Sequence, residues 1–211
     1  MHANAKVPED KGYLWQMSID QGKKINPCNS ALHPAVKDAG LQVSPDVEEI
    51  SVQEAYTPES KCWGCGPLCP EGLHLKSFRS GEGLTSYISL PPVMCAFPGI
   101  INGGILSTLV DCHGNWTAAI CLMDQACLPM PPLTLTSSML INFKDTTPPD
   151  TELVIRSRVV EVKQSSAPTG GRTSVEVDIH IYEAGHAAGA PERLLVHASG
   201  LFKRLGAARA L

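Results

Sequence analysis

No stretch of this sequence is unbrokenly apolar for the roughly 18 to 20 residues that a membrane-spanning helix needs. The least charged part runs from Glu82 to Lys144, where only Asp111 and Asp124 carry formal charge. Pro91, Pro92, Pro98, Pro129, Pro131 and Pro132 interrupt it, as do many hydroxyl residues, so it reads as a buried core and no membrane span is expected. An excess of basic charge is missing too. Seventeen Lys and Arg stand against 21 Asp and Glu, a net charge of −4, whereas a general nucleic-acid binder is basic. The opening residues, MHANAKVPEDKGYLWQ, lack a basic region followed by an apolar one, the mark of a secretory signal. No Walker-type or dinucleotide-type glycine loop is present to cradle phosphates.

What is present suffices for one domain with an appendage: 211 residues, 43% of them hydrophobic and 18% charged. The eight cysteines include Cys112 and Cys121 in apolar stretches, where a buried free thiol is the plain reading. Without a signal peptide they imply a reducing, cytoplasmic setting, or an organelle if a transit peptide has been removed. Residues 1–60 are polar and carry prolines at 7, 27, 34, 45 and 58. They read as an N-terminal arm, irregular or partly helical, with a short helix in VSPDVEEISVQEAY. The domain is expected over 61–206, with a tail at 207–211.

Within the domain, GLHLKSF and GLTSYISL read as two strands joined by RSGEG. Asn102 to about Met123 is free of proline and long enough for a helix of five to six turns. Residues 133–143, 152–163, 173–183 and 193–204 read as four more strands, punctuated by TTPPD, SSAPTGG and AGHAAGAPE. One long helix on an antiparallel six-stranded sheet is an α+β architecture.

The helix start is Asn102-Gly103-Gly104. Asn is a preferred N-cap, and the first N–H groups of a helix lack partners and carry partial positive charge. Glycines there let a ligand approach, and a carbonyl oxygen that gains charge in a transition state can be stabilised. A capped helix packed closely on the sheet explains the same residues. On a helical wheel the small residues Gly104, Ser107, Thr108, Asp111, Asn115 and Ala118 share a face. Asp111 is the only formal charge in 83–123. Such a carboxylate is costly unless hydrogen-bonded, solvated or used, and its face leaves room for a second helix, water or substrate. Asp111 lies about 13 Å along the helix from Asn102 at 1.5 Å per residue. Both ends can hardly act on one carbonyl from the same chain, which predicts a dimer with shared sites.

GIINGGILSTLVD, residues 99–111, resembles the helix-start signature of the hotdog-fold thioesterase superfamily, where His-Gly-Gly or Asn-Gly-Gly is followed by an acidic residue nine positions after the His or Asn. CWGCGPLCPEGLHL, residues 62–75, is similar to the segment that opens many members of its PaaI-like branch. The resemblance covers about residues 62–205. It implies a hotdog fold, its long central helix wrapped by the sheet, and a homodimer or homotetramer that hydrolyses acyl-CoA thioesters, as in lipid metabolism. No cofactor is implied, CoA being part of the substrate. By this resemblance Asn102, Gly103 and Gly104 form the carbonyl-binding helix start, and Asp111 of the other subunit is general base or nucleophile. Thr134 or Thr136 falls where relatives place a hydroxyl that orients water; Thr134 is taken into the catalytic set. Thr136, Ser107, Thr108 and Arg172 are expected substrate contacts. Two departures stand out: Asn102 replaces the commoner His, and Ala96 stands where some relatives hold a carbonyl-binding Asn. A non-catalytic acyl-CoA or small-ligand binder on the same fold is therefore the rival. A hydratase ranks third, for want of a His on the Asp111 face.

Cys62-x2-Cys65-x3-Cys69 with His74 has metal-ligand spacing, yet a strand beginning near Gly72 would turn His74 away. The cluster is expected to be structural and metal-free, anchoring the arm at the domain edge. His113, about 200° round the helix from Asp111, is assigned to the core. His180 and His197 are expected on the sheet, and Asp124 as a solvated charge at the helix end. Arg156, Arg158, Lys163 and Arg172 read as a solvated face, or as contacts for CoA phosphates.

Overall fold

The structure, a computed structural model, describes residues 51–81, 83–126, 128, 130–164, 173–185 and 192–205. The arm up to residue 50, Arg172 and the tail 207–211 lie outside the described residues. A short helix, α1 (Val52–Tyr56), opens the described chain. Ser51 caps it in a reciprocal box with Glu54, satisfying two of the N–H groups that a helix start leaves open. Strands β1 (Ser77–Ser80), β2 (Gly83–Ser89), β3 (Cys95–Phe97) and β4 (Ile100–Ile101) precede the long helix α2 (Gly103–Gln125). Strands β5 (Thr134–Phe143), β6 (Glu152–Gln164), β7 (Thr173–Glu183) and β8 (Arg193–Arg204) follow it.

Six strands form one antiparallel sheet in the order β1-β2-β6-β7-β8-β5. Strand β5, first after the helix, therefore crosses to the far edge. Along β7 the pleat sends Val175, Val177, Ile179 and Ile181 inward and leaves Glu176, His180 and Tyr182 half-buried on the outer side, the period-2 alternation of a strand. The inner face packs on α2. Leu109, Val110, Leu106 and Leu122 are buried there with Ile155, Leu195 and Phe202. Each such side chain contributes on the order of 1.5–3 kcal/mol by leaving water. Gly114 marks the closest approach: a Cβ there would meet Phe202 Cζ at 2.6 Å and Ile179 Cδ1 at 2.7 Å.

Two sequence expectations shift. The first strand begins at Ser77 rather than near Gly72. His74 adopts φ 51°, a left-handed conformation that interrupts a strand. Leu73 N–H and Leu75 N–H are also spent on the Trp63 and Gly64 carbonyls, 2.8 and 3.1 Å away, which holds the cysteine loop in place. The end of the expected arm also belongs to the domain. Val52 and Tyr56 of α1 are buried with Leu84, Ile120 and Met123 in a second apolar cluster. Gln53 clamps the start of β1, its Oε1 accepting from Ser77 N–H at 2.9 Å.

Candidate active site

Asn102 caps α2 with its side chain, Oδ1 accepting from Gly104 N–H at 2.7 Å. Its carbonyl accepts from Ile105 and Leu106 N–H. Among the described residues this leaves the Gly103 N–H as the unpartnered amide at the helix start. The sequence pairs Gly103 with Gly104 as donors; the structure consumes the Gly104 amide in the cap. Asn102 itself is held from behind, its N–H donating to the Met94 carbonyl at 2.9 Å.

A groove of about 530 Å³ opens at this helix end, lined by Phe97, Ile100, Gly103, Leu106, Phe143 and Lys144, with Ala96 in its wall. Phe97 and Phe143 are exposed, which suits an apolar guest. Asp145 at the rim is neutralised by Arg193 at 2.6 Å, whereas Lys144 has no ion pair among the described residues.

Just over two turns along the helix, Asp111 is half-buried. Thr136 of β5 donates its Oγ1 hydrogen to Asp111 Oδ1 at 2.5 Å. The other carboxylate oxygen has no partner among the described residues. Four residues on, Asn115 grips Thr134: its Oδ1 accepts from Thr134 Oγ1 at 2.6 Å and its Nδ2 donates to the Thr134 carbonyl at 3.2 Å. Alternate residues of β5 thus meet residues one turn apart on α2. Of the two candidate hydroxyls, the structure brings Thr136 onto Asp111 and buries Thr134 against Asn115. Ser107 and Thr108 share the small face, but their hydroxyls donate back to the Gly103 and Gly104 carbonyls at 2.7 and 3.0 Å.

The cysteines assemble differently from their spacing. Cys62, Cys65 and Cys112 bring their sulfurs within 4.8 Å of one another, against the middle of α2 and next to Asp111 rather than at a domain edge. Cys69 and His74 are not in the group. Cys112 reads in sequence as a core thiol, and its place beside the turn is set by the tertiary fold. A Cβ at Gly64 would meet Cys112 Sγ at 2.5 Å, so only glycine lets the loop reach the helix. The Cys112 thiol hydrogen-bonds to Cys65 and holds it below the usual thiol range, against burial and the nearby Asp111 charge. Cys112 is pushed up by the same contact.

The other histidines and charges considered from the sequence have structural partners where the structure describes them. His113 is fully buried, with Nδ1 2.9 Å from Ser77 Oγ and Nε2 3.2 Å from the Leu84 carbonyl. Since a carbonyl only accepts, the Nε2–H tautomer is fixed and Ser77 donates to Nδ1. Burial lowers His113 to about 4. Asp124 is not merely solvated: Arg79 grips it with two bonds of 2.6 Å. Arg156 pairs with Glu192, Lys163 with Glu161, and Arg158 with Asp178. Asp178 also accepts from His197 Nε2 at 2.8 Å, and His180 stacks on His197. These pairs lie on the sheet, away from the helix start.

Compared with solved structures, the chain shares the fold of a thioesterase from Haemophilus influenzae at a TM-score of 0.50 and 12% identity, over 66% of this chain and 87% of that one. A thioesterase superfamily protein from Shewanella loihica gives 0.49 and 23%, covering 70% and 96%. The E. coli PaaI protein from the phenylacetic acid degradation operon gives 0.47 and 18%, covering 65% and 84%. The chain has the hotdog fold that its helix-start motif implied. No protein-family model matches the chain, and no curated protein matches it.

Proposed function

We propose that this protein hydrolyses acyl-CoA thioesters, with Asp111 as general base or nucleophile and the Gly103 amide as carbonyl-polarising donor. The observation that carries the reading is the Asp111 carboxylate itself. It is the single charge on a face of small residues, oriented by Thr136, with one oxygen left to take a proton. Such an orienter–base arrangement is what general-base catalysis requires.

In the general-base form, water adds to the thioester carbon as its proton passes to Asp111. The carbonyl oxygen gains charge and is stabilised by a helix N-terminal amide. The carbon–sulfur bond then breaks, and the thiolate leaves as CoA after taking up the proton, giving the free acid. Gly103 and Asp111 are eight residues apart on one unbroken helix, about 12 Å at 1.5 Å per residue. A carbonyl and its attacking water cannot span that, so Asp111 works with Gly103 of the partner subunit. The homodimer this requires is supported by β5. It is an edge strand, and Leu133, Leu135, Leu140 and Phe143 on or beside it are exposed, a liability that a second copy removes. Lys144 at the groove is the cation best placed for CoA phosphates.

One observation favours the rival binder reading. With the Gly104 amide used in the cap and Ala96 offering no side-chain donor, the helix start has a single free amide among the described residues. Thiol release from a panel of acyl-CoAs separates hydrolase from binder, and loss of an enoyl chromophore would reveal a hydratase.

A further inference from the structure

We infer that Cys62, Cys65 and Cys112 form a binding site for a thiophilic d10 cation, Zn2+ or Cu+. The sequence spacing alone suggested a different set, with Cys69 and His74, and no metal. The folded chain replaces those two with a helix residue 47 positions beyond Cys65. Soft thiolates are the ligands that such ions select.

The geometry fits an ion between the sulfurs. Cys62 Sγ and Cys112 Sγ lie 3.8 Å apart, and all three sulfurs fall within 4.8 Å. Sulfurs bound tetrahedrally at about 2.3 Å from zinc are about 3.8 Å from each other, and three in a plane around the ion are about 4.0 Å apart. The thiols are free.

The supporting loop is built for this placement. Gly66 N–H closes the turn onto the Cys62 carbonyl at 2.7 Å. A Cβ at Gly66 would meet Cys62 N at 2.4 Å, and one at Gly64 would strike Cys112 Sγ. Two glycines therefore let the Cys62–Cys65 turn close on itself and press against α2. Cys65 and Cys112 are buried while Cys62 is exposed, so the ion has an entry path. Three protein ligands leave a coordination position for water if the ion is zinc. The proposed hydrolysis uses no thiol, so the two proposals stand or fall separately.

The test uses the full chain, purified reduced, under nitrogen and without chelator. It is titrated with Co2+, with Zn2+ against a chromophoric chelator, and with Cu+ against bicinchoninate. The expected result is one ion per chain. Sulfur-to-cobalt charge transfer with tetrahedral d–d bands identifies a zinc-type site, and binding of Cu+ alone identifies a three-coordinate copper site. Binding should be lost in Cys62→Ser, whose exposed position spares the fold, and in Cys112→Ser with an unchanged circular dichroism spectrum. It should persist in Cys69→Ser. Failure of the reduced wild type to bind any of the three ions overturns the proposal, as does binding that survives Cys62→Ser and Cys112→Ser.

Discussion

Gly103→Pro removes one N–H and little else. Gly103 is the first residue of α2, and the preceding Asn102 has φ −63° and ψ 130°. Proline is favoured at that first helical position, and its neighbour's extended backbone is what a following proline demands. The cap survives, because it runs from Asn102 Oδ1 to the Gly104 amide. The new ring faces Phe143, whose Cζ is 3.2 Å from where a Cβ would sit; this half-exposed edge ring can shift. Loss of one oxyanion donor costs about 10²–10³ in kcat. Gly103→Ala, which keeps the N–H and meets the same ring, should retain most activity. Mixing Gly103→Pro protein with Asp111→Ala protein should then restore activity. In a symmetric dimer with shared sites, random exchange makes about half the dimers mixed, each with one intact site, so about a quarter of wild-type turnover returns. Thiol release after denaturation and refolding of the mixture measures it. A folded Gly103→Pro protein with wild-type turnover would refute the amide's role, and no recovery on mixing would refute the shared site.

The two β5 threonines should separate. Thr136→Val should lower kcat about tenfold, as expected when a charged group loses a hydrogen bond of about 1.5 kcal/mol. Thr134→Val should instead destabilise the fold by about 1 kcal/mol by leaving the half-buried Asn115 Oδ1 without its donor, with kcat little changed; urea unfolding and steady-state kinetics of both variants check this. Acid stability should follow His113. Its folded value lies below the ordinary 6.5, at about 4, so the buried neutral ring supports the fold fully above pH 6.5. That support fades as pH falls from 6.5 to 4, to a loss of about 3 kcal/mol. Melting temperature against pH should drop across that window in wild type and drop less in His113→Gln; equal drops would count against it.

Much of the fold was legible because the chain marks its own boundaries. Alternation and proline-rich breaks bracket β2 and β5 to β8, and Asn-Gly-Gly announces α2. The β1 boundary was not, since a left-handed His74 and two amides pulled onto Trp63 and Gly64 look in sequence like an alternating strand. Asp111 was legible as an isolated charge, and its face as small residues at helical spacing. Partners brought together by the tertiary fold were hidden: Cys112 beside a turn 47 residues earlier, Arg79 on Asp124, and the choice between Thr134 and Thr136, which depends on register. Consumption of the Gly104 amide was readable, because an Asn N-cap accepts from the second or third helical N–H.

Acyl-CoA hydrolysis by wild type and Asp111→Ala, measured side by side over a range of chain lengths, bears most directly on the central claim. The wild type should release thiol from at least one chain length. The variant should keep the wild-type circular dichroism spectrum, since removing a half-buried charge need not destabilise. It should lose at least about a hundredfold in turnover, the scale set by loss of a general base. Near wild-type turnover in the folded variant, or no thiol release from any acyl-CoA by the wild type, would contradict the account.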